Sequence, residues 1–221
     1  MRGFVYNEGM RYKYFLFDWD GSLANTLSDW FRVHKKILLN NGVKVSDEVV
    51  CRETFGRLDA RELGIANVEK YLEEIEQEIR PSLDSAVLNS SVREVLEAIK
   101  KNGGKVGIMT DSKKKWVKHA LKNNGLKELV DVFLGREDVV NRKPDPEIIF
   151  KSLEYMGGKI SETIVTGDNW KDIQAARAAG VESCLYFPKR YGEFYKRDDQ
   201  LRLGATYVIE DFTELRQVVG L

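Results

Sequence analysis

The stretch Tyr14-Phe15-Leu16-Phe17-Asp18-Trp19-Asp20-Gly21-Ser22-Leu23-Ala24-Asn25-Thr26 decides how this chain is read. An apolar, aromatic run stops abruptly at two carboxylates, a glycine and small polar residues. The pattern predicts a buried strand ending in a tight loop, with two acids at its carboxyl end. Open α/β sheets place ligands there. Successive side chains on a strand alternate faces. Extended geometry continuing through the pair would give the two carboxylates different surroundings, one suited to nucleophilic attack and the other to proton handling.

Working outward, residues 1–11 read as a loose lead-in and 12–17 as the first strand. Residues 26–41 carry Leu27, Trp30, Phe31, His34, Ile37 and Leu38 on one stripe, the signature of an amphipathic helix, ended by Asn41-Gly42. The stripe reads as packing. His34 and His119 read as structural or surface residues. Ser46 with Asp47 and Glu48 opens a second helix toward Gly56. Asn67 caps a third, with Val68, Tyr71, Leu72, Ile75 and Ile79 on its apolar face and Pro81 closing it. The whole of 26–89 is thus expected to be helical.

From residue 90 the character changes. Ser91-Val92-Arg93-Glu94 has a capping-box pattern. Strands are expected at 105–109, 130–134, 163–166, 181–187 and 207–209, alternating with helices at 92–101, 113–124, 145–156, 170–179 and 212–219. Such alternation builds βαβ units and a parallel sheet. The expected architecture is an α/β, Rossmann-like core of residues 1–25 and 90–221, with a helical cap of residues 26–89 inserted after the first strand. The charged, tyrosine-bearing stretch 189–203 reads as a surface loop or short helix.

The 221 residues carry 35 acidic and 35 basic side chains, so the net charge is zero. This balance argues against a nucleic-acid or anionic-membrane partner. Cys51 and Cys184 are far apart and form neither a metal spacing nor a disulfide framework. A cytoplasmic protein, monomeric or homodimeric, is the expectation.

Four strand ends converge in such a sheet. They carry Asp18 and Asp20; Thr110, Asp111 and Ser112; Lys143 in Asn141-Arg142-Lys143-Pro144-Asp145-Pro146; and Asp168 with Asp172 in Gly167-Asp168-Asn169-Trp170-Lys171-Asp172. Carboxylate oxygens suit a hard cation such as Mg²⁺, and lysine supplies a point charge for phosphate. On these motifs, in this order, the chain resembles the haloacid dehalogenase superfamily, in the phosphoglycolate phosphatase-like branch. The resemblance spans residues 12–212. It implies that Asp18 attacks phosphorus and that Asp20 exchanges protons with the leaving alcohol and then with water. It implies that Thr110 and Lys143 hold the phosphoryl group. It implies that Mg²⁺ is bound by Asp18, the Asp20 backbone carbonyl and Asp168, with Asp172 further out.

Candidate substrate contacts are Asp111 beside Thr110, and Gly56 and Arg57 in the helical region. Glycine permits an unusual turn there and arginine suits a second anionic group. An ordinary helix end with a solvated arginine reads equally well. Asn25, Asp111 and Asn169 depart from residues frequent in the branch, without removing a catalytic group. The implied function is Mg²⁺-dependent hydrolysis of a small phosphorylated metabolite, phosphoglycolate first. The alternatives are a phosphosugar mutase of the same superfamily and a non-catalytic phosphometabolite-binding protein.

Overall fold

The computed structural model describes residues 10–221. Most of the expected lead-in, residues 1–9, lies outside the described residues. Six parallel strands form one sheet: β1 (Tyr14–Phe17), β2 (Lys105–Met109), β3 (Val132–Leu134), β4 (Thr163–Gly167), β5 (Glu182–Tyr186) and β6 (Tyr207–Ile209). Their spatial order is β3-β2-β1-β4-β5-β6. The strand order reverses between β1 and β4, the kind of switch point at which open α/β sheets bind ligands.

β1 is central because both of its faces are apolar. Phe15 and Phe17 pack into one hydrophobic cluster and Leu16 into the other. Each is fully buried, and such burial contributes about 1.5–3 kcal/mol per side chain. Phe17 is in register with Ile108 of β2 and Thr166 of β4, and the Asp18 N–H donates to the Thr166 carbonyl at 2.9 Å. The backbone that carries the first acid is therefore clamped from both sides.

Helices α1 (Leu27–Asn40), α2 (Asp47–Thr54) and α3 (Val68–Asp84) follow β1. They share a hydrophobic cluster of their own that includes Val33, Ile37, Val50, Tyr71, Ile75 and Ile79. Trp116, from α5 (Lys114–Asn123), joins that cluster. The chain leaves and returns through paired segments. Asn25 N–H donates to Val87 and Asn89 N–H donates to Leu23, each at 2.9 Å. The other helices, α4 (Val92–Lys101), α6 (Glu147–Met156), α7 (Trp170–Ala179), α8 (Arg197–Leu201) and α9 (Phe212–Val219), belong to the region around the sheet.

Three expectations fail, each for a local reason. α3 does not stop at Pro81 but runs on to Asp84. Proline removes one backbone bond, yet Leu83 beyond it is buried with Ile75 and Ile79, and the Pro81 carbonyl is taken by the Ser85 hydroxyl at 2.8 Å. Ser91 makes no cap bond to α4; its backbone is left-handed, φ 61°. Its hydroxyl lies 3.3 Å from that of Ser90 instead. Stretch 189–203 is a 3₁₀ turn at Lys189–Glu193 followed by α8, but it is not merely surface, because Tyr191 and Tyr195 are buried.

Candidate active site

The sheet's carboxyl edge gathers three acids. Oxygens of Asp18, Asp168 and Asp172 lie within 4.8 Å of one another, and all three residues are buried. Lys143 reaches in from the loop before α6 and donates to Asp18 Oδ1 at 2.5 Å and to Asp172 Oδ1 at 2.6 Å. The sequence put Asp172 further out, but its carboxylate shares the cluster. One helical turn separates it from Asp168, and Asn169 starts α7 so that its side chain accepts from Lys171 N–H at 2.9 Å.

Burial raises the Asp18 carboxyl well above the usual range; the Lys143 charge opposes this, and the charges of Asp172 and Asp168 add to it. Burial and the Asp172 charge raise Asp168 in the same way. For Lys143, burial acts to lower the ammonium, but the charges of Asp172 and Asp18 outweigh it and the net shift is upward. Three carboxylates facing one ammonium leave two negative charges to be met, which fits a divalent cation with oxygen ligands. Gly21 keeps this space open. Its φ is +80°, and a Cβ there would come within 2.7 Å of Asp168 Oδ2.

Asp20 stands apart from the acid cluster. Its Oδ1 accepts from Thr26 Oγ1 and Trp30 Nε1, each at 3.0 Å. Its Oδ2 accepts from Ser112 Oγ at 2.6 Å, with Thr110 Oγ1 at 3.5 Å. The expected separation of Asp18 and Asp20 by strand alternation is not the cause of their different settings. A strand's period of two puts residues i and i+2 on the same face, and the chain here already turns at Trp19. Both acids line one cavity of about 160 Å³. Their partners differ: an ammonium for Asp18, hydroxyls and an indole for Asp20.

Thr110, Asp111 and Lys143 line the same cavity, together with Leu27, Trp30, His34, Thr54, Phe55 and Lys171. Gly56 and Arg57 are not part of its lining. Arg57 is exposed and stacks on Trp170, its guanidinium 4.8 Å from the ring centre. Gly56 has φ +75° and lies against Lys171, whose Nζ would come within 2.6 Å of a Cβ there. The glycine thus makes room for a cavity-lining ammonium, and Lys171 occupies the place that the sequence offered to Arg57. Among the described residues Lys171 makes no ion pair, whereas Lys143 makes two.

Sequence reasoning missed the contacts of Trp30 and Tyr195, gave Ser112 no role although it stood at a converging strand end, and read His34 as structural without its place on the cavity wall. Trp30 reads as packing on its helical stripe, yet its indole N–H is spent on Asp20. His34 pairs with Glu53 at 2.6 Å inside the helical region and also lines the cavity. Tyr195 donates its hydroxyl to Asp168 Oδ2 at 3.0 Å. Tyr191 donates to the Gly21 carbonyl at 2.6 Å. The one signal for the tyrosines was their recurrence in an otherwise charged stretch.

The family model of haloacid dehalogenase-like hydrolases matches residues 15–186. The chain belongs to that family. It is 29% identical over 216 residues to pyrophosphatase PpaX of Halalkalibacterium halodurans, covering 93% of this chain and 96% of that protein. It is 27% identical over 219 residues to N-acetylmuramic acid 6-phosphate phosphatase of Pseudomonas aeruginosa, covering 95% and 96%. The solved structure of a candidate phosphoglycolate phosphatase from Lactobacillus plantarum matches with a TM-score of 0.80 at 21% identity, covering 95% of this chain and 100% of that one. The last likeness is one of fold. The chain is thus a hydrolase of the haloacid dehalogenase type, an enzyme whose relatives bear phosphatase names. Among the described residues no helix is long and apolar enough to cross a membrane.

Proposed function

We propose that this protein is a Mg²⁺-dependent phosphatase that hydrolyses a small phosphomonoester through an aspartyl-phosphate on Asp18. One observation carries the reading: a buried lysine bridges two of three clustered carboxylates at the sheet's switch point. Phosphoryl transfer mostly needs positioning and neutralised charge, and this arrangement supplies both. Asp18, Asp168 and Asp172 would hold the cation, with the Asp20 carbonyl beside them. When bound, the cation would neutralise charge on the phosphoryl oxygens and on Asp18.

In the first step an Asp18 oxygen forms a bond to phosphorus while the ester P–O bond breaks. Asp20 gives a proton to the departing oxygen. In the second step Asp20 takes a proton from water, the water oxygen bonds to phosphorus, and the bond from phosphorus to Asp18 breaks. Lys143 offsets charge on Asp18 and on the phosphoryl group throughout. Thr110, which is fully buried, offers its hydroxyl to a phosphoryl oxygen. Covalent catalysis by a carboxylate splits one difficult displacement into two easier ones.

Residues 26–89 act as the cap in this reading. Five of the cavity-lining residues, Leu27, Trp30, His34, Thr54 and Phe55, come from that region. A space of about 160 Å³ suits a phosphoryl group with few further atoms, well below the ~300 Å³ at which drug-sized pockets begin. Phosphoglycolate is the first candidate, and Lys171 would meet its carboxylate.

The test is phosphate release from a panel of small phosphomonoesters, with and without Mg²⁺. Release that needs Mg²⁺ and disappears in Asp18→Asn is the expected result. Isomer formation from a hexose 1-phosphate without free phosphate would replace the hydrolase with a mutase. No turnover of any phosphoester, with binding retained, would leave a binding protein.

A further inference from the structure

Three consecutive residues after the fifth strand touch two parts of the molecule at once. Tyr195 donates its hydroxyl to Asp168 Oδ2 at 3.0 Å. Its ring lies 4.8 Å from that of Phe55, at the end of α2, centre to centre. Phe194 packs against Phe55 at 6.0 Å and against Phe31 of α1 at 5.9 Å. Lys196 pairs with Glu48 of α2 at 2.6 Å. The same tyrosine therefore holds one carboxylate of the acid cluster and rests on the helical region above it.

We propose that Tyr195 is a positioning residue. It sets the orientation of Asp168 for a bound divalent cation and, through Phe55, ties that orientation to where the helical region sits. The inference rests on the metal reading above and adds a residue that the four strand-end motifs do not contain.

The physical case has three parts. Asp168 is fully buried, so its carboxylate cannot borrow solvent to fix its rotation. Its two oxygens have unequal partners: the tyrosine hydroxyl at 3.0 Å on Oδ2, and the Asn169 amide at 3.4 Å on Oδ1. The tyrosine is the shorter contact and the one from a distant part of the chain. Outer partners of this kind orient metal-binding groups, and their loss typically costs about 10–100-fold in metal affinity or activity. The tyrosine is in turn held by packing. Aromatic pairs at such separations favour tilted geometry, and the ring planes of Phe55 and Tyr195 meet at 52°. A shift of Phe55 with the helical region would thus drag the ring and its hydroxyl.

The experiment titrates Mg²⁺ alone into the full-length protein and follows tryptophan fluorescence. Trp30, which lines the cavity and donates its indole N–H to Asp20 Oδ1 at 3.0 Å, reports on the site. Tyr195→Phe keeps the ring and removes the hydroxyl; it should weaken Mg²⁺ binding about tenfold. Phe55→Leu should weaken it about threefold, and should add nothing in the Tyr195→Phe background, because both act through one hydroxyl. Lys196→Ala, which breaks only an exposed pair, should leave Mg²⁺ binding as in wild type.

Wild-type affinity in Tyr195→Phe overturns the positioning role alone. Additive effects of Tyr195→Phe and Phe55→Leu overturn the link to the helical region. An equal loss in Lys196→Ala also overturns the inference, since any disturbance of the segment would then suffice. Failure of the wild-type protein to bind Mg²⁺ overturns the metal reading, and this inference with it.

Discussion

The sheet's carboxyl edge and the helical region above it meet across one cavity but are built on opposite principles. At the sheet edge the charged groups are buried and interlocked: Lys143, Asp18 and Asp172 have side chains no more than 6% exposed. Asp18 follows β1, which pairs with a strand on each side, while Lys143 comes from the loop before α6 and Asp172 from the first turn of α7. The helical region offers an indole, a histidine, a threonine, a leucine and a phenylalanine ring, and its buried His34–Glu53 pair is internal to it. It meets the sheet region through side chains: Trp30 on Asp20, Phe31 and Phe55 on Phe194 and Tyr195. The lesson is that the two sides of the cavity differ in chemistry: buried, interlocked charges at the sheet edge, and mainly aromatic and apolar groups from the helical region.

The sharpest way to break this contrast is to remove one group from each side. Asp18→Asn is expected to lower kcat by at least ~10³-fold in a phosphate-release assay, since it removes the proposed nucleophile. A similar loss from a cavity-facing change in the helical region, such as His34→Ala, would erase the distinction.

Stability offers the second comparison. Lys143→Met leaves two buried carboxylates without their shared ammonium. Removing one partner of a buried pair costs about 3–5 kcal/mol, to be read from urea unfolding. An unchanged midpoint would mean that the acids do not depend on the lysine.

A third change probes the contact between the two regions. Trp30→Phe keeps an aromatic ring and deletes the donor to Asp20. It is expected to lower kcat about tenfold, less than the ~10²–10⁴-fold that positioned proton transfer as a whole contributes, with KM changed less. A KM effect without a kcat effect would place Trp30 with substrate selection instead.

The smallest effect concerns the loop that brings Lys143 in. Glu147 accepts backbone N–H bonds from Val140 at 3.0 Å and Asn141 at 2.8 Å. With the Lys151 contact as the main cause, its carboxyl falls from 4.5 to about 2. A lowered carboxylate stabilises the fold above its unfolded value, and that contribution is lost as pH falls through the folded value. Glu147→Gln should therefore lower the midpoint of thermal unfolding slightly above pH 4.5, with the gap from wild type closing toward pH 2. A gap that persists at pH 2 would rule out the charge as its origin.

The groups legible in the sequence were those that end a strand. Asp18, Thr110, Lys143 and Asp168 follow apolar runs or sit in a fixed order of motifs, so their convergence follows from the parallel topology. The groups that escaped act over long chain separations. Tyr195 reaches Asp168 from 27 residues away and Ser112 reaches Asp20 from 92. Neither contact has a local pattern, because a single polar tip on a buried aromatic or a small hydroxyl in a loop carries no periodicity. Arg57 failed for the complementary reason. Its local pattern was suggestive, but a flexible side chain next to Trp170 found a ring to stack on. Pro81 shows burial outweighing a local rule, since one lost backbone bond did not outbid the packing of Leu83.

The paired crossings at Leu23–Asn25 and Val87–Asn89 have a consequence for how such a molecule could be re-engineered. Because the chain departs and comes back at adjacent points, the sixty-odd residues between them form a closed loop whose ends the remainder of the protein already holds together. Closing a loop costs free energy only with the logarithm of its length. Exchanging this one for a shorter or longer segment should leave the sheet's register intact, so the molecule can be treated as a fixed socket that accepts interchangeable lids.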